Sequence, residues 1–247
     1  MKKLILFLLT VLFFISCDKD VDLNGYQIVA HRGYWKASEG AQNSIRALEE
    51  AVRLNIDGVE LDVRMTKDGH LILHHDAKAG KFTIAEASLS EIRTLRLPDG
   101  SLIPTLDEYF DAAKNNDVAL YIDVKTIESL KPVIEMVNQY DLIGRVVLLT
   151  TFDMGVAAIS YNKSIKVHCI YGDKHPLDLK EHGFSGMSYD ISFMQNHEDW
   201  IRLAHSIGLA VGSYVIKSES EIIWCSVNDV DYVMTDSPLE CKHYLFQ

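Results

Sequence analysis

Short β-branched runs alternate with helix-length amphipathic segments along almost the whole chain, and this rhythm restricts the fold more than any other feature. The expected strands are Gln27–Ala30, Gly58–Asp62, Ala119–Val124, Arg145–Thr150, Ile165–Ile170, Gly186–Tyr189, Leu209–Val215 and Tyr232–Thr235. Helical segments are expected near 43–55, 105–116, 129–140, 153–162, 176–182, 196–207 and 218–228, with a last one after Pro238. Asn43 is read as the N-cap of the first helix, with Ile45, Leu48 and Val52 on its apolar face. Pro132 and Pro238 suit first helical turns. Eight strand–helix repeats point to an α/β chain folded as a (β/α)8 TIM barrel, with a doubly wound open sheet as the alternative. No linker rich in Pro, Gly or Ser divides the chain, so residues 17–247 form one domain.

One interval breaks the rhythm. Strand starts lie about 20 to 31 residues apart except between Gly58 and Ala119. That gap holds Leu71-Ile72-Leu73, introduced by Thr66-Lys67-Asp68-Gly69. Asp-Gly between extended runs signals a hairpin, and the link is too short for a parallel crossover. Strand two therefore passes the barrel rim, turns and returns as a β-hairpin extension, setting His74 or His75 opposite Asp62.

The first sixteen residues stand apart. Lys2 and Lys3 precede an apolar run, Leu4 to Ile15, too short for a span of about 20 residues and suited to a signal-peptide core. The run ends at Phe14-Ile15-Ser16-Cys17, which resembles a bacterial lipobox. Residues 1–16 are thus expected to be cleaved and Cys17 lipidated, giving an exported, membrane-anchored lipoprotein facing the periplasm or cell surface. The remaining cysteines, Cys169, Cys225 and Cys241, show no C-x-x-C spacing and read as buried small hydrophobes. With 24 Lys+Arg against 35 Asp+Glu the net charge is −11, which argues against nucleic-acid binding. The oligomeric state has no signature in the sequence.

In barrels of this type the active site sits at the C-terminal ends of the strands. Strand one ends in His31-Arg32-Gly33, strand two carries Glu60 and Asp62, the hairpin brings His75-Asp76, and strand three carries Asp123 and Lys125. Residues two apart on a strand share a face. Facing inward, these side chains bring together three carboxylates, two histidines and two cations. Like charges so close repel, and a divalent cation resolves the conflict. All-oxygen ligands favour Mg²⁺, Ca²⁺ or Mn²⁺ over zinc, and Arg32 with Lys125 suits a phosphate.

These motifs resemble the glycerophosphodiester phosphodiesterase family. The likeness runs through His31-Arg32-Gly33, Gln42-Asn43-Ser44, Gly58-Val59-Glu60-Leu61-Asp62-Val63, Thr66-Lys67-Asp68-Gly69 and His74-His75-Asp76. It continues through Ile103-Pro104-Thr105-Leu106, Tyr121-Ile122-Asp123-Val124-Lys125 and Thr235-Asp236-Ser237-Pro238. The resemblance implies a (β/α)8 barrel that hydrolyses glycerophosphodiesters to glycerol 3-phosphate and an alcohol with one divalent cation, Mg²⁺ or Ca²⁺. It implies His31 and His75 as the acid–base pair, Glu60, Asp62 and Asp123 as metal ligands, and Arg32 and Lys125 as phosphate-side cations. Histidine suits both proton transfers because its ordinary pKa lies near 6.5.

Some positions depart from the family pattern. Asp123 stands where Glu is usual, Gln42-Asn43-Ser44 replaces Glu-Asn-Thr, Ala77–Thr83 replaces the segment usually found after the His-Asp, and Tyr214-Val215-Ile216-Lys217 replaces Trp-Thr-Val-Asn. Tyr214 is the candidate for stacking on substrate; a barrel-lining core aromatic is the other reading. Three alternatives are weighed. A glycosidase needs no histidine pair with cations. A related phospholipase D-like enzyme acts on lipids directly. A non-catalytic barrel would bind a phosphate ligand and not cut it.

Overall fold

The computed structural model describes residues 27–36, 40–172 and 174–245. The expected signal segment 1–16 and Cys17 lie outside these described residues. The elements run β1 (Gln27–Ala30), α1 (Ile45–Arg53), β2 (Gly58–Met65), β3 (Leu71–Leu73), β4 (Lys78–Ala79), β5 (Phe82–Thr83), α2 (Leu89–Ile92) and α3 (Leu106–Ala113). They continue through β6 (Ala119–Val124), α4 (Ile127–Gln139), β7 (Val146–Thr150), α5 (Phe152–Tyr161), β8 (Lys166–Cys169), α6 (Pro176–Glu181) and β9 (Gly186–Asp190). The chain ends through α7 (Ile191–Gln195), α8 (Glu198–Ser206), β10 (Ala210–Ile216), α9 (Glu219–Val227), β11 (Tyr232–Thr235) and α10 (Pro238–Leu245).

Parallel pairing in the order β1-β2-β6-β7-β8-β9-β10-β11, with β11 returning to β1, closes an eight-stranded barrel. The expected (β/α)8 architecture stands, and the open sheet does not form. Alternation along each strand divides two cores. Ile28, Val59, Leu61, Leu120, Ile122 and Leu148 face the helices. Val29, Tyr121, Val147, Leu149, Tyr232 and Met234 fill the barrel. A β-carbon on Gly212 would collide with the Tyr232 ring, so the inward glycine makes room for that aromatic. The chain enters at Gln27 on the floor of the barrel, and His31 follows the last residue of β1 at the opposite mouth.

The hairpin forms as expected: β3 pairs antiparallel with β2, Leu73 opposite Val63. The His74 N–H donates to the Asp62 carbonyl at 3.0 Å, so His74 stands opposite Asp62 and His75 follows at the rim. Residues 76–104 carry structure the alternation does not reveal. A two-residue ladder β4–β5 and short α2 enclose a separate small core of Ile72, Ala79, Ile84, Ala87, Ile92 and Ile103. Two helix readings are corrected. Ser44, not Asn43, caps α1, its side chain accepting from the Ala47 N–H at 3.1 Å. Pro132 lies inside α4 because that helix begins at Ile127. The segment near 196–207 is preceded by a separate short helix, α7. Cys169, Cys225 and Cys241 are buried, as expected, and form no disulfide with one another. Among the described residues no helix is long and apolar enough to cross a membrane.

Candidate active site

The mouth of the barrel holds a cavity of about 180 Å³. His31, Arg32, Glu60 and Asp62 line it together with His75, Asp123, Lys125 and Tyr214, so the eight candidate catalytic, phosphate-binding and metal-binding residues reach one place. Alternation accounts for the placement: Glu60 and Asp62 point inward while Val59, Leu61 and Val63 pack outward. Register sets Asp62 beside Asp123 on the neighbouring strand.

His31 is held from behind. Its Nδ1 donates to Asp236 Oδ1 at 2.8 Å; the carboxylate only accepts, so the proton sits on Nδ1 and Nε2 faces the cavity, 4.0 Å from Glu60 Oε2. Burial raises Asp236, but the His31 bond and Lys36, 3.4 Å away, hold it below the ordinary carboxylate range. His75 has the same arrangement, donating through Nδ1 to Asp76 Oδ1 at 2.8 Å. Arg64 fixes the backbone there, donating to the His75 carbonyl at 2.8 and 3.0 Å. Asp76 thus orients a histidine and stands outside the acidic cluster.

Between them lies the turn 31–34. Arg32 has φ +57° and its N–H donates to Glu60 Oε2 at 2.8 Å. Gly33 follows at φ +76°, where a β-carbon would meet Ala47 Cβ at 2.7 Å, so glycine is required. The Arg32 guanidinium bonds Gln42 Oε1 at 2.6 Å and lies 3.3 Å from Asp62 Oδ2. Asn43 brackets Asp62 through both ends of its amide, donating to Oδ2 at 2.8 Å and accepting the Asp62 N–H at 3.0 Å.

The ligand oxygens of Glu60, Asp62 and Asp123 lie within 4.8 Å of one another. Burial, then Asp62 and Asp123, push Glu60 well above the ordinary carboxylate range. Burial also raises Asp123, and Lys125 offsets this only in part. Asp62 goes the other way: burial raises it, but Lys125, 2.8 Å away, with Asn43 and Arg32, lowers it overall. Lys125 bonds both Asp62 and Asp123, and their charges overcome its burial and raise it. Two buried carboxylates and a partly buried third face two cations here, and an all-oxygen cluster of this kind fits a hard divalent cation.

The match to known proteins follows the same residues. Residues 31–169 fit the model of the glycerophosphoryl diester phosphodiesterase family. The chain belongs to that family. A glycerophosphodiester phosphodiesterase of Caldanaerobacter subterraneus subsp. tengcongensis is 33% identical over 138 residues, 49% of this chain and 56% of that protein. The chain spans about half the length of such curated relatives. A glycerophosphodiester phosphodiesterase structure from Parabacteroides distasonis superposes with a TM-score of 0.87 at 29% identity, covering 90% of this chain and 97% of that one. An Oleispira antarctica phosphodiesterase, solved with its product sn-glycerol-3-phosphate, shares the fold with a TM-score of 0.80 at 20% identity, over 90% of this chain and 97% of that one.

The family model ends at residue 169, short of Asp236, Tyr171 and Tyr214. Sequence reasoning had Asp236 in a motif but with no role, and missed Tyr171. Tyr171 sits at the rim at φ +78°, and its N–H donates to the Tyr214 hydroxyl at 3.3 Å. A bulky residue in the left-handed region is rare, and no residue-type pattern announces it.

Proposed function

We propose that the protein hydrolyses glycerophosphodiesters to glycerol 3-phosphate and an alcohol. The observation carrying this reading is the convergence of two carboxylate-oriented histidines, two cations and three carboxylates on one cavity. Glu60, Asp62 and Asp123 would hold one divalent cation, Mg²⁺ or Ca²⁺, which supplies positive charge to the phosphoryl oxygens. Arg32 and Lys125 bind the same group from the protein side. One histidine removes the proton of the neighbouring glycerol hydroxyl as its oxygen bonds to phosphorus. The other protonates the departing alkoxide, releasing the alcohol and leaving a cyclic phosphate. Water then opens the ring with the two proton transfers reversed.

The test is release of glycerol 3-phosphate from a panel of glycerophosphodiesters by residues 18–247, with Mg²⁺, with Ca²⁺ and with EDTA. Metal-dependent release is expected; no release with any metal from a folded protein overturns the reading in favour of a barrel that binds without cutting. We also propose export and anchoring through lipidated Cys17, from the residue pattern at 1–17. Labelled palmitate should enter the full chain and not Cys17→Ser; equal labelling of both would overturn it.

A further inference from the structure

A second cavity of about 300 Å³ opens beside the first, and Arg32 and His75 line both. The acidic cluster, His31 and Tyr214 belong to the first cavity alone. The second has a different chemistry: Trp35, Ala41, Leu73, Leu97 and Pro98 form its apolar wall. It is a built crevice. Asp99 Oδ2 accepts the Ala41 N–H at 3.2 Å, tying the turn at 97–101 to the segment before α1. Gly100, at φ +82°, and the Asp99–Ser101 bonds hold that turn. A space of this size takes an alcohol of up to roughly ten heavy atoms, at about 30 Å³ per water-sized unit.

A phosphodiester has two arms that meet at phosphorus, and here two cavities meet at one phosphate-type cation and one histidine. We infer that the second cavity is the subsite for the departing alcohol, and that it selects uncharged alcohols with an apolar body over alcohols bearing an ammonium group. The inference rests on the hydrolysis proposed above. Glycerol then occupies the first cavity beside His31, and His75 stands at the junction to protonate the departing oxygen.

Charge decides the selectivity. Lys36 Nζ lies 5.6 Å from the Trp35 ring centroid, so a cation already sits beside that indole, its charge met by Asp236 at 3.4 Å. Arg32 closes the same cavity from the other side. An ammonium alcohol faces the Arg32 guanidinium and an apolar wall, and the one acidic residue of that lining, Asp76, already accepts from His75. A neutral alcohol meets the apolar wall with no such cost.

The experiment compares two esters of glycerol 3-phosphate, with n-butanol and with ethanolamine, in the wild type, Trp35→Ala and Pro98→Glu. Pro98 is exposed, so the added carboxylate does not burden folding. The wild type should favour the butyl ester by about tenfold or more in kcat/KM. Trp35→Ala should remove most of that preference, and Pro98→Glu should shift it toward ethanolamine. Inhibition by glycerol 3-phosphate, which lacks the second arm, should stay constant in both variants. No preference in the wild type, an equal fall for both esters in Trp35→Ala, or weakened product inhibition overturns the subsite. Failure of the wild type to cleave either ester with metal present overturns the hydrolysis itself.

Discussion

The two sides of the barrel mouth obey one alternation rule and differ in everything else. On one side the mouth is lined by His31 just past β1, by Asp62 on β2 and by Asp123 on β6; on the other it is lined by Leu149 on β7 and Met234 on β11, with Ile170 just past β8. The charged side needs a scaffold: Asn43, Gln42, Asp76, Asp236 and the Arg32 N–H each satisfy a group on it. The apolar side needs packing alone. Burying polar groups is costly unless each finds a partner, so strand geometry decides where a site can be, and the surrounding loops decide whether that site can be charged.

The largest test of this division removes the proton-transfer groups. His31→Ala should lower kcat by about 10²- to 10⁴-fold while calorimetric metal affinity stays nearly constant; comparable activity in the variant would remove His31 from the chemistry. His168 tests the other side. It is buried beneath the apolar wall, bonded to the Tyr232 hydroxyl at 2.9 Å, and burial followed by Lys166 pushes its pKa down to about 3. Above pH 6.5 the imidazole is neutral in folded and unfolded chains alike. Below that, the unfolded chain takes up a proton that the barrel refuses, so stability declines as pH falls toward 3. The loss from this group between pH 6.5 and 4.5 should be roughly 2–3 kcal/mol. Denaturant melts of His168→Gln should show a flatter decline over that window; an identical slope would mean that the imidazole charges inside the fold.

Asp123→Ala should weaken metal binding by about tenfold or more and reduce the gain in Tm on adding metal. An unchanged calorimetric titration would take Asp123 out of the ligand set. The smallest effect belongs to the apolar side. Tyr214→Phe removes only the hydroxyl that accepts from the Tyr171 N–H, and kcat/KM should change by less than about threefold, within the value of one exposed hydrogen bond. A hundredfold loss would mean that this wall takes part in the charged chemistry, and would dissolve the contrast.

The charged side was largely legible because its residues sit at period two on strands whose hydrophobic partners announce the face. Glu60 and Asp62, flanked by Val59, Leu61 and Val63, show this directly. Their supports were not, because they come from elsewhere in the chain. Asp236 reaches His31 across 205 positions only once β11 closes against β1. Asn43 reads as a helix cap, since Asn favours caps. In the fold it takes φ +62°, and its amide, freed from capping by Ser44, brackets Asp62 instead. Residues 76–104 escaped because elements of two to four residues are too short to show a period.

The entry of the chain at Gln27 carries a consequence for orientation. Nine residues lie between Cys17 and that point, ten Cα steps that span at most about 33–36 Å when fully drawn out. With the lipid proposed at Cys17, the bilayer would hold the barrel from its floor side and leave the mouth free to face the solvent. Such an enzyme would harvest diesters already free in the surrounding fluid, and phospholipids of its own supporting leaflet would lie behind it.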